Sequence, residues 1–196
     1  MNRKIFLILL CVLLLAKLVP SVKAQNRAGM PDMSFGVNGE VIQSYRPSET
    51  INYFVDTALQ SDGKIVCLTA TDINLPQYSG FSLIRYNPNG SVDMTFGNGG
   101  ISDGWIGNIV RARTMAIQSD GKILVAGDGN FIDVNFSAQD IFVARYNVDG
   151  SLDTSFGENG KVFTDFSGFE EQSLEYLNKM ILQPDGKIIL VGNRQA

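Results

Sequence analysis

The chain has 196 residues, 44% hydrophobic and 18% charged, with 20 glycines, two cysteines and no histidine. That length and apolar content suffice for a packed core. The lack of histidine excludes Ser-His-Asp and Cys-His nucleophiles, imidazole bases and histidine metal sites, and a net charge of −4 disfavours nucleic acid as a partner.

Residues 1–24 read as a secretory signal peptide. Arg3 and Lys4 make a basic start, residues 5–16 are an unbroken apolar run, and Val22-Lys23-Ala24 sets small or β-branched side chains where a signal peptidase reads. The apolar run falls short of the roughly 20 residues that cross a bilayer. No membrane span is therefore expected after cleavage between Ala24 and Gln25, and the remaining chain, residues 25–196, should be secreted or held at the cell surface. Cys11 follows Leu10 rather than a small residue, which argues against lipid acylation there. Residues 1–24 carry Arg3, Lys4, Lys17 and Lys23 and no acid, so their removal leaves 12 basic against 20 acidic residues, a net charge of −8. Anionic lipid is disfavoured for the same reason as nucleic acid. Cys67 is then the only thiol, so no intramolecular disulfide can form. Within Ile65-Val66-Cys67-Leu68 it reads as buried and inert.

Beyond residue 30 the chain repeats itself. Asp32-Met33-Ser34-Phe35-Gly36 returns as Asp93-Met94-Thr95-Phe96-Gly97 and Asp153-Thr154-Ser155-Phe156-Gly157, with 61 and 60 residues between successive phenylalanines. Gln60-Ser61-Asp62-Gly63-Lys64 returns as Gln118-Ser119-Asp120-Gly121-Lys122 and Gln183-Pro184-Asp185-Gly186-Lys187, and Arg85-Tyr86-Asn87 as Arg145-Tyr146-Asn147. Asp-Gly between apolar runs predicts a tight hairpin, because glycine accepts the positive φ of the turn. The continuous apolar run Ile123-Leu124-Val125-Ala126 predicts a strand covered on both faces, as in sheets stacked on one another. A third strand over Ile141 to Tyr146 and a short fourth over Lys161 to Thr164 complete a unit. Four short strands per unit with glycine-rich turns is a propeller-blade pattern.

These motifs resemble the delta-60 repeat family, whose units combine a Gln-x-Asp-Gly-Lys hairpin, an Arg-Tyr-Asn strand and a Leu-Asp-x-Ser-Phe-Gly block. The resemblance covers residues 31–193 and implies an exported or surface-associated bacterial protein with a propeller-like fold and no assigned chemistry. The expected fold is thus all-β, built of tandem four-stranded propeller-type blades. Propellers typically close with at least four blades, and about two and a half units fit in residues 25–196. An open array is expected, its last unit cut short after a second strand, with terminal blades free to associate.

Few residues suggest chemistry. Asn147, Asp149, Ser151 and Asp153 present oxygens at alternate positions around Gly150, a spacing that also suits calcium. The glycine falls at the fourth place and no bidentate glutamate closes the set, so a hairpin turn with an aspartate accepting backbone N–H groups is the favoured reading. No other cofactor is expected. The Phe-Gly blocks lack the lysine and helix of a phosphate loop. Glu170, Glu171 and Glu175 could serve carboxylate catalysis, although adjacent glutamates in a polar connection are usually only solvated. Asn89-Gly90-Ser91 and Asn135-Phe136-Ser137 are glycosylation sequons.

Connection lengths point to a binding face. Tyr86 to Phe96 and Tyr146 to Phe156 both span 10 residues, whereas Gly63 to Tyr86 and Gly121 to Tyr146 span 23 and 25. Phe35 to Gly63, Phe96 to Gly121 and Phe156 to Gly186 span 28, 25 and 30. In an up-and-down blade all of that variation falls on one edge, where Tyr78, Trp105, Phe131 and Phe169 would offer aromatic surface to a protein or glycan partner. A non-enzymatic interaction module is the expected role, with a carboxylate-based carbohydrate enzyme or a structural spacer as alternatives. Intact-mass analysis of secreted protein should show a chain beginning at Gln25; exported protein retaining Met1 would overturn the signal-peptide reading.

Overall fold

A computed structural model describes residues 30–42, 50–73, 79–104, 106, 109–130, 139–165 and 174–195, and among these every regular element is a strand. The hairpin turns set the plan. Gly121 takes φ +85°, its N–H donates to the Gln118 carbonyl at 2.9 Å, and Gln118 N–H donates to the Lys122 carbonyl at 2.8 Å. Asp120 Oδ1 accepts the Lys122 N–H at 3.1 Å. The same bonds close the turns at residues 60–64 and 183–187, so each strand entering a turn folds back on the one leaving it.

The described residues form ten strands, in three groups. The first blade holds β1 (Thr50–Leu59), β2 (Ile65–Ile73), β3 (Ser79–Tyr86) and β4 (Ile101–Gly104), each antiparallel to the one before. The second repeats this with β5 (Ile109–Ile117), β6 (Ile123–Asn130), β7 (Asp140–Tyr146) and β8 (Lys161–Thr164). A third group holds only β9 (Leu174–Leu182) and β10 (Ile188–Gln195), paired antiparallel. One parallel pair, Ser79 with Ile109, links the first two blades, and neither sheet closes on itself. First strands of successive blades touch, β1 with β5 and β5 with β9, whereas the outer strands β4 and β8 do not. The blades therefore converge at their first strands and splay outward. The architecture matches the all-β, open, four-stranded-blade expectation.

The core lies between blades, not within them. Val66 and Leu68 of β2 and Phe81 and Leu83 of β3 meet Ile123 and Val125 of β6 and Phe142 and Ala144 of β7. Phe81 and Phe142 stack with centroids 6.1 Å apart, and Tyr146 meets Phe81 edge-on. The alternate residues of the second blade, Leu124, Ala126, Ile141 and Val143, face the other way onto Leu177 and Met180 of β9. Every residue of β6 is accordingly buried, which explains why that strand reads as continuous apolar sequence rather than alternating.

A feature absent from the sequence reading recurs in all three first strands. The register slips between Phe54 and Asp56, between Ala112 and Thr114, and on β9 between Lys179 and Leu177. The extra residues, Val55, Arg113 and Asn178, each stand 8 positions before the hairpin glycine. A bulge there sharpens the strand's twist at the place where blades converge. Asp56 Oδ2 crosses to the next blade beside one bulge, accepting from Thr114 Oγ1 at 3.1 Å and from Met115 N–H at 3.0 Å.

Since Phe142 fills the space between two blades at 0% exposure, Phe142→Ala should lower stability by about 3–5 kcal/mol. Met94→Ala, at a residue 69% exposed, should stay within about 0.5 kcal/mol of the parent in the same denaturant titration.

Candidate functional site

The antiparallel meander separates two edges of the blade array. On one edge lie the Asp-Gly-Lys hairpins and the turns that follow β3 and β7. On the other, β2, β4, β6 and β8 end at Ile73, Gly104, Asn130 and Thr164, and the strands after them begin at Ser79, Ile109, Asp140 and Leu174. The stretches of variable length after β2, β4, β6 and β8 run between those ends. Tyr78, Trp105, Phe131 and Phe169 belong to these stretches and lie outside the described residues, as do Glu170, Glu171, Ala24 and Gln25. Glu175 is described: it sits on β9 at 1% exposure.

The stereotyped edge carries a repeated ionic cluster. In the first blade Asp93 Oδ2 receives Arg85 Nε at 2.7 Å and Lys64 Nζ at 2.9 Å, and its Oδ1 receives the Thr95 hydroxyl at 2.7 Å. The Arg85 guanidinium lies 4.5 Å over the Phe96 ring. In the second blade Asp153 Oδ2 receives Lys122 Nζ and Arg145 Nε, both at 2.7 Å, Ser155 replaces Thr95, and Arg145 lies 4.6 Å over Phe156. Burial would raise the Asp93 carboxyl, but bonds from Thr95 and Lys64 and the charge of Arg85 hold it well below the carboxylate range. The Lys122 and Ser155 bonds hold Asp153 low in the same way. Sequence reasoning passed over Lys64, Arg85, Lys122 and Arg145, although their recurrence alongside the aspartates was a usable signal.

The calcium-candidate residues fall into this cluster. Asn147 and Ser151 close a turn through Asn147 N–H to the Ser151 carbonyl at 2.8 Å. Asp149 Oδ1 accepts the Ser151 N–H at 2.9 Å and hydroxyl at 2.7 Å, and Asn147 Nδ2 donates to Ser151 Oγ at 3.0 Å. Asp153 is turned away onto its lysine and arginine, whose charges would repel a divalent cation. The four residues thus share a turn without aiming at a common centre, and among the described residues no group of three acidic or cysteine side chains is placed to hold a metal.

The turn also joins blade to blade. Asp149 and Val148 carbonyls accept from Gly97 N–H at 2.7 Å and from Arg85 Nη1. The Gly150 carbonyl accepts from Ser102 Oγ at 2.6 Å. In the preceding unit Gly36 N–H donates to the Asn89 carbonyl at 2.8 Å.

Along the variable edge a different network appears. Asp128, at 0% exposure, accepts Arg113 through Nε at 2.8 Å and Nη2 at 3.2 Å, Gln139 Nε2 at 2.6 Å and Leu177 N–H at 3.3 Å. Gln139 Nε2 also donates to the Glu175 carbonyl at 3.1 Å. The Asp128 hydrogen bonds raise the Arg113 pKa against the effect of burial. This network ties the roots of the variable stretches across two blades. Among the described residues it occurs once, so repetition could not reveal it. Nearby, burial and the charge of Asp165 raise the Asp140 carboxyl. Cys67 is half-buried on β2; burial pushes its thiol up and a contact with Thr57 at 3.7 Å partly opposes this.

Residues 60–96 and 118–156 each match a family model described as "Domain of unknown function (DUF5122) beta-propeller". The chain is a propeller-type repeat module. Both matched segments run from a hairpin glutamine to a Phe of the Phe-Gly block, so the similarity spans the ionic cluster of each propeller blade. No curated protein matches the chain.

With its folded-state carboxyl held below the unfolded value near 3.9, Asp93 contributes stability that is present above about pH 4 and lost as pH falls towards its folded pKa. Asp93→Asn should therefore lower stability at neutral pH and flatten the acid limb of an unfolding-versus-pH profile. An acid limb as steep as the parent's would show that Asp93 is not the group responsible.

Proposed function

We propose that the chain is an exported interaction module of the delta-60 repeat type, secreted or held at a cell surface, that binds a protein or glycan along the variable edge and performs no catalysis. The observation that carries this reading is the segregation of loop variation. The unequal connections after β2, β4, β6 and β8 run between strand ends on one edge, while the opposite edge keeps the same turns and ionic cluster in the first two blades. Stretches relieved of packing duties are where recognition residues accumulate on repeat scaffolds. The Arg113–Asp128–Gln139 network would hold the roots of these stretches rigid, which lowers the entropy lost on binding. Absence of histidine from the whole sequence supports the non-catalytic part of the reading, and the signal-peptide features of residues 1–24 support export.

A second reading, sugar hydrolysis by carboxylates, draws on Asp140, whose carboxyl is raised by burial and further by the charge of Asp165, as a general acid in that chemistry would need.

Glycan and peptide arrays probed with the purified protein, then with Trp105→Ala and Phe131→Ala, separate these cases. Binding to the array hit should fall about tenfold or more in each variant. Binding that survives both changes but is lost on Asp62→Asn, with unfolding unchanged, would move the site to the opposite edge. Conversion of a bound glycan, abolished by Asp140→Asn, would establish the enzymatic reading instead.

A further inference from the structure

Three residues of the second blade depart together from the repeat. Aligned on the hairpin glycines Gly63 and Gly121, Arg111, Arg113 and Asp128 stand where the first blade has Tyr53, Val55 and Ala70. They meet at one place. Arg111 is the register partner of Asp128, close to the start of β5 on the variable edge, and Arg113 bonds Asp128 through Nε and Nη2. The other bonds to Asp128 come from Gln139 Nε2 and Leu177 N–H. Two guanidinium groups thus adjoin one carboxylate, and it holds only Arg113.

Arg111 is left over. It is exposed, and among the described residues no acid pairs with it. Every other described cation of the two four-stranded blades is engaged: Lys64 and Arg85 by Asp93, Lys122 and Arg145 by Asp153, and Arg113 by Asp128. Lys161 is engaged as well. The flanking first strands offer Arg111 no carboxylate. Asp56, the one acid of β1, bonds Thr114 and Met115 further along β5, and Glu175, the one acid of β9, is 1% exposed. Because β5 touches both β1 and β9, Arg111 is exposed inside the array rather than at an end of it. Arg113 is itself 38% exposed along its side chain, and its Nη1 has no acceptor among the described residues.

We propose that Arg111, together with Arg113 Nη1, receives the carboxylate of an acidic sugar residue, of the uronic or sialic type, in a glycan bound along the variable edge. This rests on the recognition reading above and names the ligand class it implies. A guanidinium fork matches a planar carboxylate, and Asp128 presets the second arginine. The surplus at this place is a single positive charge, in a chain that carries −8 without residues 1–24. Such a site suits one carboxylate on an otherwise neutral chain, because the surrounding protein repels a polyanion. A sugar is favoured over a peptide terminus by Tyr53, which holds the position of Arg111 in the adjoining first strand and is 49% exposed. An aromatic face beside a cation fits a pyranose ring that bears a carboxylate.

The test is an array of uronic- and sialic-acid oligosaccharides, each printed as the free acid and as its methyl ester, beside neutral oligosaccharides and peptides with free C-terminal carboxylates. The purified protein should bind free acids, and about tenfold or more weakly their esters. Arg111→Gln should lose the same factor, Arg111→Lys should recover part of it, and added salt should weaken the parent's binding. Both variants should unfold at the parent's midpoint; a lowered midpoint in Arg111→Gln would assign the residue to the fold and overturn the proposal. Hits on neutral sugars or esters that fall with Trp105→Ala but not with Arg111→Gln would overturn it while the recognition reading stands. Hits confined to peptide carboxylates would overturn the sugar assignment, and an array without any hit would overturn both.

Discussion

The structure depends on apolar packing between sheets rather than within one. A four-stranded sheet whose two faces are both apolar cannot remain in water alone; each face needs a neighbour. The second blade has both neighbours, and its strands β6 and β7 send alternate side chains into two separate cores. Among the described residues nothing packs over one face of the third group in this way: Ile181, Ile189 and Val191 are 50%, 40% and 49% exposed. Their counterparts in the second blade, Ala116, Leu124 and Ala126, belong to the core against β9. Stability in such an array is a sum of interface terms, so what happens at one interface is felt mainly by the two blades that share it.

Apolar faces alone do not fix how one blade sits on the next, because dispersion and burial tolerate sliding. Direction comes from the polar edge. The turn carbonyls at Val148, Asp149 and Gly150 can accept from Arg85, Gly97 and Ser102 only when the two blades are in one relative position. Arg85 reaches that carbonyl only because Asp93 grips its Nε and Phe96 lies under its plane. The buried aspartate thus acts on a contact it does not itself make: it presets an arginine that latches one blade to another. Losing the carboxylate would strand two cations and release the latch together, an effect larger than one surface ion pair commonly contributes.

The parts legible in the sequence were those in which residue identity alone decides the geometry. Asp62-Gly63, Asp120-Gly121 and Asp185-Gly186 had to turn, and the apolar run at residues 123–126 had to be covered on both sides; both hold. The bulges at Val55, Arg113 and Asn178 were not legible, because those three residues share no chemistry and the slip is a backbone property imposed by convergence of the first strands. Pairing of Lys64 with Asp93 was half legible: both recur in each unit, but 29 residues separate them, and only the folded blade brings their charges within 2.9 Å. The Arg113–Asp128–Gln139 network has no repeat signature at all, since it arises from a non-repeated aspartate inside a strand.

This contrast between repeated and singular residues bears on function. A repeat unit keeps what the interface needs, and the turns and the ionic cluster are retained between the first two blades. What differs between them is concentrated at the other edge: Asp128 where the first blade has Ala70, Gln139 rooted to the next strand, and connections of unequal length. Packing supplies no reason for those differences, because the cores on the two sides of the second blade are made without them. A buried aspartate that gathers an arginine, a glutamine and a backbone N–H from two blades is costly to desolvate unless fully bonded, and here its oxygens take four such bonds. Such a node fixes the spacing of the strand ends from which the variable stretches depart. The repeated edge therefore sets the angle between blades, and the singular edge sets the frame on which recognition can be built.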